Sequence, residues 1–248
     1  MIFTVESDIG LKRAVNEDRA AVIERPDNLK LAVLADGMGG HNAGDVASEM
    51  AISLMRTSFL SATAEQLATP TARLQWLNEA VSHTNNEIYQ YSLTNEGCKG
   101  MGTTLISCVL DGTHCTIAHV GDSRLYYFTD QAAQLITRDH SYVNVLIDKG
   151  AISEEEAKNH PNKNVIIKAI GTERTIKPDF YELTLATESY VLLCSDGLSN
   201  KLTTDEMVAI ITLPKTIKER GKMLVQLAND SGGEDNISLI LLTLQQEV

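Results

Sequence analysis

Nowhere in its 248 residues does the chain run about 18 apolar residues together, so no stretch is long enough to cross a bilayer as a helix. The N-terminus lacks the basic-then-apolar pattern of a secretory signal, and the expectation is a cytoplasmic protein with no membrane partner. Cysteine is scarce. Cys98, Cys108, Cys115 and Cys194 form no C-x-x-C pair, which argues against a zinc site or a disulfide framework and for reduced, mostly buried thiols. Clusters of Lys and Arg are missing too, and with a net charge of −12 and a pI near 4.9 the chain is not expected to bind nucleic acid, whose phosphates need basic patches. The same acidic field attracts divalent cations. No linker, repeat or low-complexity tract divides the sequence, so residues 1–248 are expected to form a single domain. No apolar stripe beyond the needs of a core is visible, which makes a monomer the expected state.

What is present begins with short apolar runs rich in β-branched residues. KLAVLAD (30–36), TTLISCVL (103–110), THCTIAHV (113–120), YVLLCSD (190–196) and NISLILLTL (236–244) predict strands, several of them buried on both faces. A two-residue turn at Asp111 and Gly112 would join two of them and set Cys108 directly across from Cys115. Leu74, Leu77, Val81, Thr84, Ile88 and Tyr91 recur at spacings of three and four, predicting a helix over 71–92 whose stripe packs on a sheet. Val46, Ala47, Met50, Ala51, Leu54 and Met55 predict a second helix over 44–60. Thr203-x-x-Glu206 and Ser153-x-x-Glu156 have the form of capping boxes and should open two more. Strands arrive in groups and do not alternate with helices, so the fold class is α+β, two sheets flanked by helices.

Asp-Gly occurs at Asp36, Asp111 and Asp196, where about one instance is expected by chance in this composition. In VLADG and LLCSDG an apolar strand ends at an aspartate, so the sheet fixes the carboxylate while the glycine lets the chain turn and expose its carbonyl oxygen. Asp111 sits between strands as a turn residue should and carries no assigned chemistry. Three more aspartates stand beside strand edges: Asp18 in NED, Asp122 in HVGDSR and Asp235 in GGEDN. Bare convergence of such groups is unfavourable, since two carboxylates about 4 Å apart repel by about 4 kcal/mol at an effective dielectric near 20. A bound cation removes that repulsion, and oxygen-only ligands select Mg²⁺ or Mn²⁺ over zinc or copper. A single strand-end aspartate is more often a turn residue; five in such positions point to a site. Arg13 precedes Asp18 by five residues, within reach of a phosphate held over such cations.

At this point the residues resemble the metal-dependent type-2C Ser/Thr protein phosphatases, especially their small single-domain bacterial members. The likeness consists of SDIGLKRAVNED (7–18), VLADGMGGHNAG (33–44), GTTLISC (102–108), HVGDSRLY (119–126), TRDHS (137–141), NVIIKAIG (164–171), LLCSDGLSN (192–200) and GGEDNIS (232–238), all in the family's order. The resemblance implies a central β-sandwich of two antiparallel sheets with helices outside, a four-layer α-β-β-α arrangement, and a binuclear Mn²⁺/Mg²⁺ site at one end. It implies that Asp36 bridges both metals and that the Gly37 carbonyl binds one. Asp196 and Asp235 would hold the other, while Asp18 and Glu17 act directly or through water. Asp122 with Asp196 would serve a third, weaker metal site, and Arg13 would bind phosphate. Residues 142–170 resemble the family's flap beside the cleft. Met38 stands where the eukaryotic branch carries a histidine proposed as general acid, and His41 is the nearby candidate for that role.

The implied reaction is hydrolysis of phosphoserine and phosphothreonine in proteins by direct attack of a metal-bridging hydroxide, with no cysteine nucleophile and no phosphoenzyme. The implied partners are Ser/Thr-phosphorylated proteins and a cognate Ser/Thr kinase. Two other readings share the scaffold: a non-catalytic phosphoprotein-binding module, and a phosphatase dedicated to one regulatory switch protein. Retention of every metal aspartate speaks against the first of these.

Overall fold

In the computed structural model, which describes residues 1–39, 43–129 and 132–244, the apolar runs become strands of two antiparallel sheets. In chain order the strands are β1 (Ile2–Asp8), β2 (Asp18–Glu24), β3 (Lys30–Met38), β4 (Gly102–Thr103), β5 (Leu105–Asp111), β6 (His114–Val120), β7 (Arg124–Phe128), β8 (Ala133–Leu135), β9 (Asp179–Thr184), β10 (Tyr190–Cys194) and β11 (Ile237–Thr243). One sheet has the order β1-β11-β10-β7-β8; the other has β2-β3-β5-β6-β9, with β4 paired to β3. The helices are α1 (Ala43–Ser61), α2 (Ala64–Leu67), α3 (Pro70–Thr94), α4 (Tyr142–Asp148), α5 (Glu154–Lys158), α6 (Asp196–Ser199), α7 (Thr204–Ile211) and α8 (Ile217–Asp230).

Period-two alternation along the strands sets the layers. Leu31, Val33 and Ala35 of β3 pack with Ala47, Ala51 and Met55 of α1 and Leu77, Val81 and Ile88 of α3. The intervening Ala32 and Leu34, with Ile106 and Cys108 of neighbouring β5, face the second sheet and meet Leu193 and Ile240. On the far side Leu192, Leu239 and Leu241 pack against Met207 and Ile211 of α7 and Leu224 of α8. The resulting order of helix, sheet, sheet, helix is the expected four-layer α+β arrangement. Strands covered on both faces read as continuous apolar runs for that reason.

Local signals act as expected at the helix starts. The Ser153–Glu156 and Thr203–Glu206 boxes open α5 and α7, and Thr63–Gln66 and Thr216–Glu219 do the same for α2 and α8. Two expectations need correction. Tyr91 does not continue the buried stripe of α3: it is exposed, and Ser92 is buried instead, because four residues on from Ile88 the 3.6-residue period brings Ser92 to the packed face. Cys108 does not face Cys115. Asp111 stays in the ladder opposite His114, so the turn is Gly112-Thr113 and Cys108 lies across from Ile117. Gly112 alone takes a positive φ, +56°, at the first loop position, which suits a glycine-first hairpin turn and shifts the register. Cys108 and Cys115 remain diagonal neighbours on the same buried face.

Antiparallel pairing also collects the acids. Asp18 at the start of β2 sits opposite Asp36 near the end of β3. Cys194, which ends β10, pairs with both Leu239 near the start of β11 and Arg124 at the start of β7. Val120, which ends β6, pairs with Leu105, which begins β5. Strand ends and strand starts therefore share one edge of the sandwich, and the residues just beyond them face a common opening.

Candidate functional site

That opening is a cavity of about 320 Å³. Its wall includes Arg13, Glu17, Asp36, Gly37, Asp122, Asp196 and Asp235, contributed by five separate segments of the chain. Asp18 is not in the wall. It is buried behind it, with Oδ2 accepting a 2.7 Å bond from the Ser195 hydroxyl and Oδ1 without a partner. His41 lies outside the described residues. Asn164 and Ile166, from the 142–170 segment, also line the cavity, as do Thr104 and Asn236.

Backbone hydrogen bonds hold Asp36 on both sides. Its N–H donates to Thr104 Oγ1 at 2.9 Å, and its carbonyl accepts from Thr104 N at 2.8 Å and Thr103 Oγ1 at 2.9 Å. Thr104 Oγ1 also meets Ser123 Oγ at 2.7 Å, tying Asp36 to the loop that carries Asp122. The glycines after Asp36 and Asp196 serve close approach and not a turn; among the described residues neither has a positive φ. A Cβ on Gly37 would stand 2.0 Å from the Gly44 carbonyl, and one on Gly197 2.0 Å from the Asn236 carbonyl. Asp-Gly thus marks where two segments of backbone touch beside a carboxylate.

Asn236 fastens the mouth. Its Oδ1 accepts from Glu17 N at 2.8 Å, and its Nδ2 donates to the carbonyls of Ile9 and Val15 at 2.9 and 3.0 Å. The 142–170 segment is fixed at its roots: His140 N donates to Gly121 O, Ile167 N to His140 O, and Ile170 and Thr103 exchange two bonds of 2.8 and 3.0 Å. These contacts bring Asn164 and Ile166 to the wall. Sequence reasoning identified the segment but not these two residues, although Asn164 opens the NVIIKAIG motif.

The electrostatics are those of crowded acids. Burial first, then Asp18, Asp196, Asp122 and Asp235, push the Asp36 carboxyl well above the usual carboxylate range. Burial and Asp196 push Asp122 up to about 7. Asp18 and Asp196 are raised for the same reasons, and Glu17 is raised by burial. Arg13 answers part of this charge: Nη2 donates to Asp235 Oδ2 at 2.7 Å. Both side chains are partly exposed, so the pair is readily exchanged for another partner.

The donor set suits hard divalent cations. Among the described residues it offers carboxylates and the Gly37 backbone, with no thiol or imidazole in the wall, and a buried Asp18 oxygen lacks a protein partner. Among the described residues no three carboxylate, imidazole or thiol groups are already closed around one point as an ion cage. Asp235 is turned to Arg13, and Asp18 to Ser195. The acids share one cavity, with the mutual repulsion that a cation would relieve.

Comparison with known proteins bears on the family and the fold. Residues 12–232 match the family described as protein phosphatase 2C. The serine/threonine phosphatase stp of Listeria monocytogenes serotype 4b is 40% identical over 236 residues, covering 95% of this chain and 93% of that protein. Among solved structures, the Streptococcus agalactiae serine/threonine phosphatase superposes with a TM-score of 0.92 at 35% identity, covering 98% of this chain and 99% of the other. The catalytic domain of the phosphatase PstP, solved with 2 manganese ions, superposes with a TM-score of 0.83 at 32% identity over 97% and 96% of the two chains. By sequence and by fold, along nearly its whole length, the chain belongs to the protein phosphatase 2C family.

Proposed function

We propose that this serine/threonine protein phosphatase hydrolyses phosphoserine and phosphothreonine with two divalent cations, Mn²⁺ or Mg²⁺, and no phosphoenzyme. The observation that carries the reading is the meeting of Asp36, Asp122, Asp196 and Asp235 with Arg13 in one cavity. Asp36 would contact both cations, the Gly37 carbonyl one of them, and Asp196 with Asp235 the other. Glu17 in the wall and Asp18 behind it would act through water, and Asp122 with Asp196 would serve a third, weaker site. When bound, the cations supply an acidified water as nucleophile and positive charge beside the phosphoryl oxygens.

The chain's own residues do the rest. Thr103 and Thr104 fix the Asp36 backbone, so the carboxylate is held before any cation arrives. Arg13 leaves Asp235 and turns its planar fork to the phosphate, an exchange between two anions that the exposed ion pair permits. Met38 lines the cavity but has no proton to give, which leaves the role of general acid to a water or to His41.

The substrates in this reading are phosphoproteins, with a Ser/Thr kinase as the opposing partner, and the enzyme works as a cytoplasmic monomer. Among the described residues no helix is long and apolar enough to cross a membrane. Phosphate release from p-nitrophenyl phosphate and from a phosphothreonine peptide tests the mechanism. Activity should vanish after exhaustive chelation and return with Mn²⁺ or Mg²⁺; full activity in the metal-free protein would refute it.

A further inference from the structure

Among the described residues nine large apolar side chains are exposed, and five of them belong to the two segments that flank the cavity. Ile9 and Leu11 shortly precede Arg13, which lines the cavity and whose segment is taken as one rim; Val165 and Ile167 flank Ile166, which also lines it, and Tyr142 is bonded to Val165, so these three make the other. Leu11 is 67% exposed, Val165 47% and Ile167 44%. The remaining four are scattered over α1, α3 and β8.

Neither rim is a loose loop. Leu11 N donates to Gly233 O at 2.7 Å, and the Ile9 carbonyl accepts from Asn236 Nδ2, the residue that also holds Glu17. On the opposite side Tyr142 N donates to Val165 O and Ile167 N to His140 O, both at 2.8 Å. Val165 and Ile167 alternate with Asn164 and Ile166, which line the cavity, so one short stretch serves both the wall and the outer surface. Exposed lysines stand on the same segments, Lys12 on one rim and Lys163 on the other, in a protein whose net charge is −12.

We propose that the two rims form one docking surface for a phosphoprotein segment bearing bulky aliphatic residues on both sides of its phosphoserine or phosphothreonine. The proposal rests on the phosphatase reading above and adds which sequences the site prefers. The cavity wall is polar and can grip little beyond the phosphate, whereas the rims offer apolar area that gains about 25 cal/mol for each Å² covered. Continuity with the cavity favours an extended chain over a second copy of the protein, which would cover the opening that the phosphate must enter.

The test uses the full chain with Mn²⁺ and two phosphothreonine peptides that differ only in their flanks, Leu and Ile in one and Ser and Gly in the other. The apolar peptide should show a kcat/KM at least about tenfold higher, carried by KM, the discrimination expected of buried aliphatic groups. In Leu11→Ser and in the double variant Val165→Ser, Ile167→Ser, the ratio between peptides should fall towards one. Equal kcat/KM values in the wild type, or an unchanged ratio in both variants, would overturn the proposal while leaving the phosphatase reading intact. Failure to hydrolyse either peptide or p-nitrophenyl phosphate would overturn both. A dimer that the rim variants convert to a monomer, with no preference between peptides, would assign the surface to a second copy and overturn the docking proposal.

Discussion

The space between the two sheets and the cavity at their end are built from the same strands but obey opposite rules. Between the sheets, Leu34, Ile106, Leu193 and Ile240 are fully buried against one another, and removing them from water favours the fold. Asp36 lies two residues beyond Leu34 on β3, and Asp122 and Asp196 lie two residues beyond the ends of β6 and β10; the mutual repulsion of these acids opposes folding. The difference teaches that the apolar sandwich holds in place an acidic cluster that would not assemble by itself. Stability resides in the interior, and chemistry resides where the ladders run out.

The sharpest way to separate the two regions is Asp36→Asn. Turnover of a phosphopeptide should fall at least about a thousandfold, ~4 kcal/mol of transition-state stabilisation. The metal-free variant should unfold at the same urea concentration as the wild type or a higher one, because a repelling charge is gone. Near wild-type turnover would remove Asp36 from the mechanism. The converse change is Leu193→Ala in the interior. It should lower stability by about 2–5 kcal/mol in urea unfolding while the folded fraction keeps its kcat; a stability change below that range would show that the interior is not the source claimed for it.

A pH series sharpens the comparison further. Carboxyls raised above their unfolded values stabilise the cation-free protein at low pH, and that contribution is lost as pH rises from about 4 towards 7. Cations at a hundredfold above their Kd would restore about 2.7 kcal/mol. The gain in melting temperature on adding Mn²⁺ should therefore be larger at pH 8 than at pH 5. A gain independent of pH would mean that the acids do not bind the ion. The smallest effect is expected for Arg13→Ala: stability should change by less than about 1 kcal/mol, since the ion pair with Asp235 is exposed, while KM for a phosphopeptide rises. An unchanged KM would leave Arg13 without a role in phosphate binding.

Much of the site was legible because aspartates at strand ends inherit their position from the ladder. Asp36, Asp122, Asp196 and Asp235 reach one cavity for that reason. Less was legible where a contact depends on a particular backbone dihedral or on a long closure of chain. The Cys108 register turned on the conformation of Gly112. Asn164 and Ile166 reach the wall only because the 142–170 segment is closed by the Ser141–Ile166 bridge. The glycines of the Asp-Gly pairs were recognised, but their reason, the approach of Gly44 and Asn236, appears only in three dimensions. Nor does spacing along the chain disclose that Arg13 meets Asp235, 222 residues away.

Equilibrium binding of Mn²⁺ to the metal-free protein, followed calorimetrically at neutral pH, bears most directly on the idea that these acids exist to hold paired cations. The wild type should take up at least two ions per chain and release protons in doing so, and Asp36→Asn should lose that binding while its circular dichroism stays unchanged. Wild-type protein that binds no Mn²⁺, or an Asp36→Asn variant that binds it undiminished, would contradict the assignment.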